Sequence, residues 1–176
     1  MDDPTPRYSK LVRLEADHAP QVEALCVACT DFYLETTGAP PGPSETQGFL
    51  DDVPPHGDRA QRRLWLAFID DRLVGVIDCV FGHPAPGDFW IGLLMLHPEA
   101  RGRGLGADIV AALADYARAH GSKRLGIGVK ADYRAAQLFW RAQGFVPIRE
   151  QTLDLPGLGS VSFDVMLLEL SGVKTI

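Results

Sequence analysis

The chain has 176 residues, with 46% hydrophobic and 23% charged side chains and a net charge of −6 at pH 7. These values are typical of an ordinary globular protein, and we expect a single domain over residues 1–176. The negative charge argues against a nucleic-acid-binding protein, and no apolar run is long enough to span a membrane. The N-terminal segment lacks the apolar stretch of a signal peptide, and the three cysteines are an odd number, so we expect a cytoplasmic location.

The first part of the chain is predicted to form a short strand at residues 11–14 and then a helix after Asp17. Apolar residues recur there every three or four positions as far as Tyr33. Cys26 and Cys29 lie inside this pattern, so we interpret them as buried apolar side chains and not as redox or metal ligands. A stretch rich in proline and glycine at residues 37–44 ends the helix. Ser44 and Gln47 form a capping-box pattern that predicts a second, short helix.

The rest of the chain alternates between predicted strands and helices. Two apolar runs joined at residues 70–71 predict a hairpin, and a third run at 89–96 predicts a strand buried on both faces. A long helix ending at Gly121, a strand at 124–129, a helix ending at Gly144 and a terminal hairpin follow. The order β-α-α-β-β-β-α-β-α-β-β predicts an α/β fold, in which helices flank a mixed, mostly antiparallel twisted sheet that contains one βαβ crossover.

Three glycines, Gly102, Gly104 and Gly106, lie between the strand at 89–96 and the long helix. An ordinary turn needs only one glycine. The first N–H groups of a helix lack partners and stand at the positive end of its dipole, so a glycine-rich start lets a phosphate approach them closely. Arg101 and Arg103 add positive charge. The pattern therefore favours an anion-binding loop over a plain turn.

Several phosphate ligands are compatible with such a loop. A Walker A loop is excluded, because the end of the segment has neither the required lysine nor the serine or threonine after it. Gly102, Gly104 and Ala107 fit the dinucleotide fingerprint G-x-G-x-x-A, so a dinucleotide-dependent oxidoreductase is one alternative. However, Asp132, the acidic residue after the next strand, lies farther on than the usual spacing of about 20 residues. The chain also lacks further βαβ units.

A third interpretation rests on two motifs. The pattern R-x-x-G-x-G, at Arg101, Gly104 and Gly106, resembles the acetyl-CoA loop of the GNAT acetyltransferase superfamily. Residues 129–145, VKADYRAAQLFWRAQGF, resemble that family's second motif, V-x-x-x-N-x-x-A-x-x-L-Y-x-x-x-G-F. The element order also matches over nearly the whole chain.

The resemblance implies an N-acetyltransferase that moves an acetyl group from acetyl-CoA to a primary amine by direct attack on the thioester, without a metal. It implies that the loop amides hold the pyrophosphate of coenzyme A, and that the end of the preceding strand pairs with the pantetheine arm. The implied cofactor-binding residues are Leu94, Met95, Leu96, Arg101, Gly102, Arg103, Gly104, Leu105, Gly106 and Trp140.

Two departures from the family pattern matter for the chemistry. Tyr133 occupies the asparagine position of the second motif, and Trp140 occupies that of the tyrosine that often serves as general acid. An indole N–H donates a hydrogen bond but cannot deliver a proton at neutral pH. Tyr133 is therefore a candidate for the acid. The missing tyrosine also favours an alternative in which the domain binds acetyl-CoA without catalysis, as a sensor or regulatory module.

Candidates for the general base are titratable groups with apolar neighbours, where pKa values can be tuned: Asp78, His83 and Asp88. Each is equally compatible with an ordinary strand or turn position. The acceptor side is expected on the first helices, as an apolar wall with one acidic group: Phe32, Tyr33 and Glu35. The expected partner is a small-molecule amine or a peptide amine, with no nucleic acid and no membrane, and a homodimer is compatible with the resemblance.

Overall fold

The computed structural model describes residues 7–52 and 58–170. Within these ranges the strands are β1 (Lys10–Arg13), β2 (Arg62–Ile69), β3 (Arg72–Phe81), β4 (Asp88–Leu96), β5 (Arg124–Lys130), β6 (Val146–Leu155) and β7 (Gly159–Glu169). The α-helices are α1 (Ala19–Ala28), α2 (Thr30–Thr37), α3 (Glu45–Asp51), α4 (Leu105–Ala119) and α5 (Arg134–Ala142).

The described strands form one sheet in the order β1-β2-β3-β4-β5-β7-β6. Only β4 and β5 are parallel among its neighbouring pairs, and α4 makes the crossover between them. The predicted α/β class, with a mixed, mostly antiparallel sheet and one βαβ crossover, is confirmed.

The parallel pair separates partway along its length. Residues 88–91 pair with residues 124–127, and the pairing stops there although both strands continue. On the other side of β4, Asp78 pairs with Leu93 and Cys79 with Ile91, so Gly92 is an extra residue that forms a bulge. A bulge bends its strand and increases the local twist. The gap between β4 and β5 therefore opens at Gly92.

Helices cover both faces of the sheet and bury an apolar core on each. One core packs α4 and α5 on the central strands and includes Ile109, Leu113 and Trp140. The other packs α1 and α2 on the opposite face and includes Val22 and Leu25. Among the described residues, no helix combines the length and the apolar character needed to cross a bilayer.

Two local predictions near the N-terminus are wrong. The predicted first helix is two helices, because the backbone at Cys29 leaves helical geometry, with φ −95° and ψ 25°. The predicted capping box is absent, since the side chain of Ser44 makes no capping hydrogen bond. Instead, the Glu23 carboxylate of α1 accepts hydrogen bonds from the amides of Glu45 (3.2 Å) and Thr46 (2.9 Å). The start of α3 is thus fixed to α1.

The cysteine prediction is confirmed. Cys26 and Cys29 are fully buried, and Cys79 is 1% exposed, all as free thiols. Burial raises the pKa of Cys26 to about 11 and raises the pKa values of the other two.

Candidate active site

The glycine-rich loop gives α4 an open N-terminus. Gly102 and Gly104 have φ angles of +69° and +88°, which only glycine adopts at low cost. The first helical hydrogen bond of α4 runs from the amide of Asp108 to the carbonyl of Gly104. Within the part of the chain that the structure describes, the amides of residues 102–107 have no hydrogen-bond partner. These donors, at the positive end of a 15-residue helix, are suited to bind an anion.

Arg101 holds this loop in place. Its Nε donates to the carbonyl of Leu96 (2.8 Å), and its guanidinium forms a two-pronged ion pair with Asp31 of α2, in which one of the two bonds measures 3.1 Å. The hydrogen bond from Arg101 holds the pKa of the Asp31 carboxyl below its ordinary value. Arg101 thus joins the loop to β4 and α2. Arg103 does not share these contacts and instead lines a separate surface pocket together with Arg7.

A groove runs from this loop toward α5, and we call it the loop groove. Its volume is about 540 Å³. Gly106 forms part of its wall, where a Cβ atom would be only 3.0 Å from the Phe139 ring, so the close packing of α4 against α5 favours glycine there. The residues that line the groove include Leu94, Leu96, Arg101, Gly102, Gly104, Gly106, Tyr133, Phe139 and Trp140.

A second cavity of about 430 Å³ occupies the gap between β4 and β5, and we call it the gap cavity. It adjoins the loop groove, because both are lined by Phe32, Leu94, Tyr133, Ala136 and Trp140. The carbonyl of Leu96 bonds to Arg101 and is therefore directed away from β3. Since backbone groups alternate along a strand, the N–H and C=O of Leu94 also face the gap. The gap thus offers backbone groups to an extended ligand.

The gap cavity contains few charged groups. The Tyr33 hydroxyl donates to Glu45 Oε2 (2.8 Å), and the amide of Gly42 donates to Glu45 Oε1 (2.6 Å). Burial raises the pKa of Tyr33. Lys130 also lines the cavity, and its ammonium contacts Glu35 (3.0 Å). The acidic group expected at Glu35 is therefore paired with a lysine, and Glu45 is the carboxylate on the cavity wall.

Tyr133 and Trp140 are the two departures from the second motif that matter for the chemistry, and both line the two cavities. Tyr133 precedes α5, and burial raises its pKa. Trp140 is 5% exposed and packs against Phe139 and Phe145. Because Trp140 stands at the tyrosine position of the second motif, that position offers no phenol. Tyr133 is the tyrosine that lines both the loop groove and the gap cavity.

The three candidate bases do not line either cavity. Asp78 forms a two-pronged ion pair with Arg62 (2.8 and 2.7 Å). Asp88 is 2% exposed and pairs with Arg124 (2.7 Å). His83 packs against Trp90 in a T-shaped arrangement, at a centroid distance of 5.3 Å. The described residues also contain no group of three or more His, Cys, Asp or Glu side chains that could hold a metal ion.

Comparison with known proteins agrees with this geometry. The Acetyltransferase (GNAT) family profile matches residues 28–145, and the chain belongs to this family. Membership of this family, together with the single parallel strand pair among the described strands, argues against the dinucleotide-binding alternative. No protein among those with curated descriptions matches the chain.

Solved structures share the fold at low sequence identity. An acetyltransferase from Thermus thermophilus is 23% identical, with a TM-score of 0.72 over 92% of this chain and 96% of that one. An acetyltransferase from Salmonella typhimurium that modifies the N-terminal serine of ribosomal protein L7/L12 is 18% identical, with a TM-score of 0.74 over 90% of this chain and 93% of that one. A ribosomal-protein-alanine N-acetyltransferase from Brucella melitensis is also 18% identical, with a TM-score of 0.68 over 92% and 99% of the two chains.

Proposed function

We propose that this protein transfers the acetyl group of acetyl-CoA to a primary amine. The observation that carries the proposal is the row of unpartnered amides at residues 102–107, which opens into a groove continuous with the gap cavity. A diphosphate fits such amides because each N–H finds an oxygen acceptor. The apolar groove and the backbone of Leu94 then suit an extended thiol arm that ends in the gap cavity.

The chemistry balances with one proton released. A protonated amine first loses a proton. Its nitrogen then forms the bond to the acetyl carbon as the carbon–sulfur bond breaks. The second nitrogen proton balances the negative charge of the thiolate, so CoA is released as the thiol. Bound acetyl-CoA supplies the activated thioester. At pH 7, deprotonating an amine of pKa about 10.4 costs about 4.6 kcal/mol, and releasing a thiolate of pKa about 8.5 costs about 2 kcal/mol. Loss of the family's tyrosine acid therefore slows the reaction without abolishing it.

We assign to Tyr133 the protonation of the departing thiolate, after which the second nitrogen proton restores the phenol of this residue. Its side chain lines both cavities, and its raised pKa keeps the phenol protonated at neutral pH. For the amine proton the assignment is solvent, since Asp78 and Asp88 are held in ion pairs and neither they nor His83 line a cavity. Tyr133→Phe should lower kcat at least tenfold with little change in the KM for acetyl-CoA. Asp78→Asn, Asp88→Asn and His83→Gln should retain the wild-type pH–rate profile.

Binding and turnover are tested separately. Acetyl-CoA and CoA, but not NADP, should raise the melting temperature. Gly106→Leu should abolish this shift, because its side chain would enter the loop groove against Phe139. Ala111→Leu is the matched control, since Ala111 is exposed on the same helix. Thiol release with amines then separates an enzyme from the sensor alternative, which Trp140 favours. An acetyl-CoA shift without thiol release from any amine would support the sensor.

A further inference from the structure

The walls of the gap cavity are largely apolar. Aromatic rings from four different parts of the chain contribute to them: Phe32, Phe49, Trp140 and Phe163. Aliphatic side chains of β4 and β5, such as Leu93 and Val129, complete the lining. An acceptor that binds here buries its own surface against hydrocarbon, and each buried methylene contributes to affinity.

Most polar side chains of the cavity already have partners within the protein. The Thr36 hydroxyl donates to the carbonyl of Phe32 (2.8 Å), and the Thr37 hydroxyl donates to the carbonyl of Tyr33 (2.8 Å). Lys130 is paired with Glu35 at 3.0 Å and with Asp132 at 3.2 Å. An acceptor rich in hydroxyl, amide or charged groups would lose its water there without gaining equivalent hydrogen bonds.

Glu45 differs from these groups. Tyr33 and Gly42 each donate to one of its two oxygens, and each carboxylate oxygen accepts two hydrogen bonds, so one acceptor position on each oxygen is left. The Glu23 carboxylate of α1 accepts a hydrogen bond from the Glu45 amide and so fixes the backbone at the start of α3. The carboxylate therefore has a fixed position on an otherwise apolar wall.

The charges around the cavity favour a cation. Lys130 is paired with both Glu35 and Asp132, so these acids outnumber the one basic group, and the Glu45 carboxylate has no basic partner among the described residues. Resting on the proposed function, we propose that the acceptor is a primary amine on an apolar body with no second charge, and that Glu45 binds its ammonium group before transfer. Glu45 is then the specificity-determining residue of the acceptor site.

The first experiment compares acceptors by kcat/KM in a thiol-release assay at saturating acetyl-CoA. From n-butylamine to n-hexylamine, kcat/KM should rise about fourfold per methylene, as expected for burial against hydrocarbon. 2-Phenylethylamine should exceed phenylalanine, which adds a carboxylate, and spermidine, which adds charges, by at least tenfold. This ranking requires no variant, so it tests the proposal even if a substituted protein does not fold.

The second experiment removes the charge. Glu45→Gln keeps an oxygen for the Tyr33 hydroxyl and should raise the KM for 2-phenylethylamine about 10- to 100-fold, with the KM for acetyl-CoA unchanged. Asp51→Asn is the matched control, because it removes an exposed carboxylate from the same helix outside the cavity. With O-benzylhydroxylamine, which is uncharged at neutral pH, Glu45→Gln should raise KM much less than it does with 2-phenylethylamine, whereas a merely structural defect would impair both reactions alike.

The outcomes separate this proposal from the proposed function. Thiol release that is fastest with spermidine or with a peptide N-terminus would overturn the apolar-monoamine assignment and leave acetyl transfer standing. Equal KM values of Glu45→Gln and Asp51→Asn for 2-phenylethylamine would overturn the role of Glu45 and also leave acetyl transfer standing. Acetyl-CoA binding without thiol release from any amine would overturn both.

Discussion

The ion pair between Arg101 and Asp31 gives a prediction that separates two roles for the arginine. If Arg101 acts by holding the loop, Asp31→Asn should weaken the binding of coenzyme A, because the loop then loses its attachment to α2. If Arg101 instead binds a phosphate directly, Asp31→Asn would free the guanidinium, and binding would be unchanged or tighter. The contacts of Arg101 with Asp31 and with the Leu96 carbonyl favour the first role.

The size of the effect follows from the exposure of the pair. The side chains of Arg101 and Asp31 are 33% and 57% exposed, so solvent screens the attraction, and even a two-pronged pair of this kind contributes at most about 1 kcal/mol. For a chain of this length, that corresponds to a decrease in melting temperature of about 2–4 °C. The dissociation constant for coenzyme A should rise up to about fivefold, since the loop cannot lose more than this coupling free energy.

The assay is calorimetric titration of coenzyme A, with melting curves for wild type, Asp31→Asn and Asp51→Asn at 0.15 M salt, where charge effects beyond about 8 Å are screened. The pKa of Asp31 is lower in the folded state, so its stabilising contribution is present above its ordinary pKa of about 3.9 and disappears as the pH falls through the folded value. The difference in melting temperature should therefore vanish in strong acid. Equal or tighter binding of coenzyme A by Asp31→Asn would refute the anchoring role.

Three further predictions concern stability and reactivity. Gly102→Ala should destabilise the fold by about 1–2 kcal/mol in denaturant unfolding, because φ is +69° at this position. The control Gly48→Ala, inside α3 with no neighbour near the added Cβ, should stabilise the fold by about 0.5–1 kcal/mol. Equal effects of the two substitutions would contradict the left-handed conformation of Gly102. Asp78→Ala should cost about 2–3 kcal/mol, because it leaves the largely buried Arg62 with only the exposed Asp52 carboxylate, at 3.5 Å. Arg62→Met with Asp78→Leu should recover most of that loss, and full stability of the single variant would contradict a stabilising pair. The thiol of Cys26, with a pKa near 11 and no exposure, should react with Ellman's reagent at pH 8 only after denaturation, and rapid reaction of the folded protein would contradict its burial.

Elements defined by local periodicity were predictable from the sequence. The hairpin of β2 and β3 followed from two apolar runs around Asp70, which adopts a φ of +53° in the turn. The long helix followed from an apolar stripe that includes Ile109 and Leu113, both buried in the structure. Local signals are sufficient there because side-chain periodicity and backbone conformation depend on the same few residues.

Contacts between distant residues were not predictable in the same way. The Tyr33–Glu45 bond joins residues 12 apart across a proline-rich loop, and the Lys130–Glu35 pair joins residues 95 apart. A carboxylate after Ser44 has the same local pattern whether it faces solvent or a cavity. Its role therefore depends on how α3 packs against α1, and the sequence offers no periodic signal for that packing.

The two sequence motifs meet because of the one parallel strand pair. Parallel strands end at the same edge of the sheet, so the helices that follow β4 and β5 both begin there. This brings the loop before α4 and Tyr133 before α5 to one opening, although a whole helix and strand separate them in sequence. The bulge at Gly92 widens that opening just where the pairing of β4 and β5 stops. An antiparallel β4–β5 pair would put the two helix starts at opposite edges, and neither motif alone could then form a continuous groove.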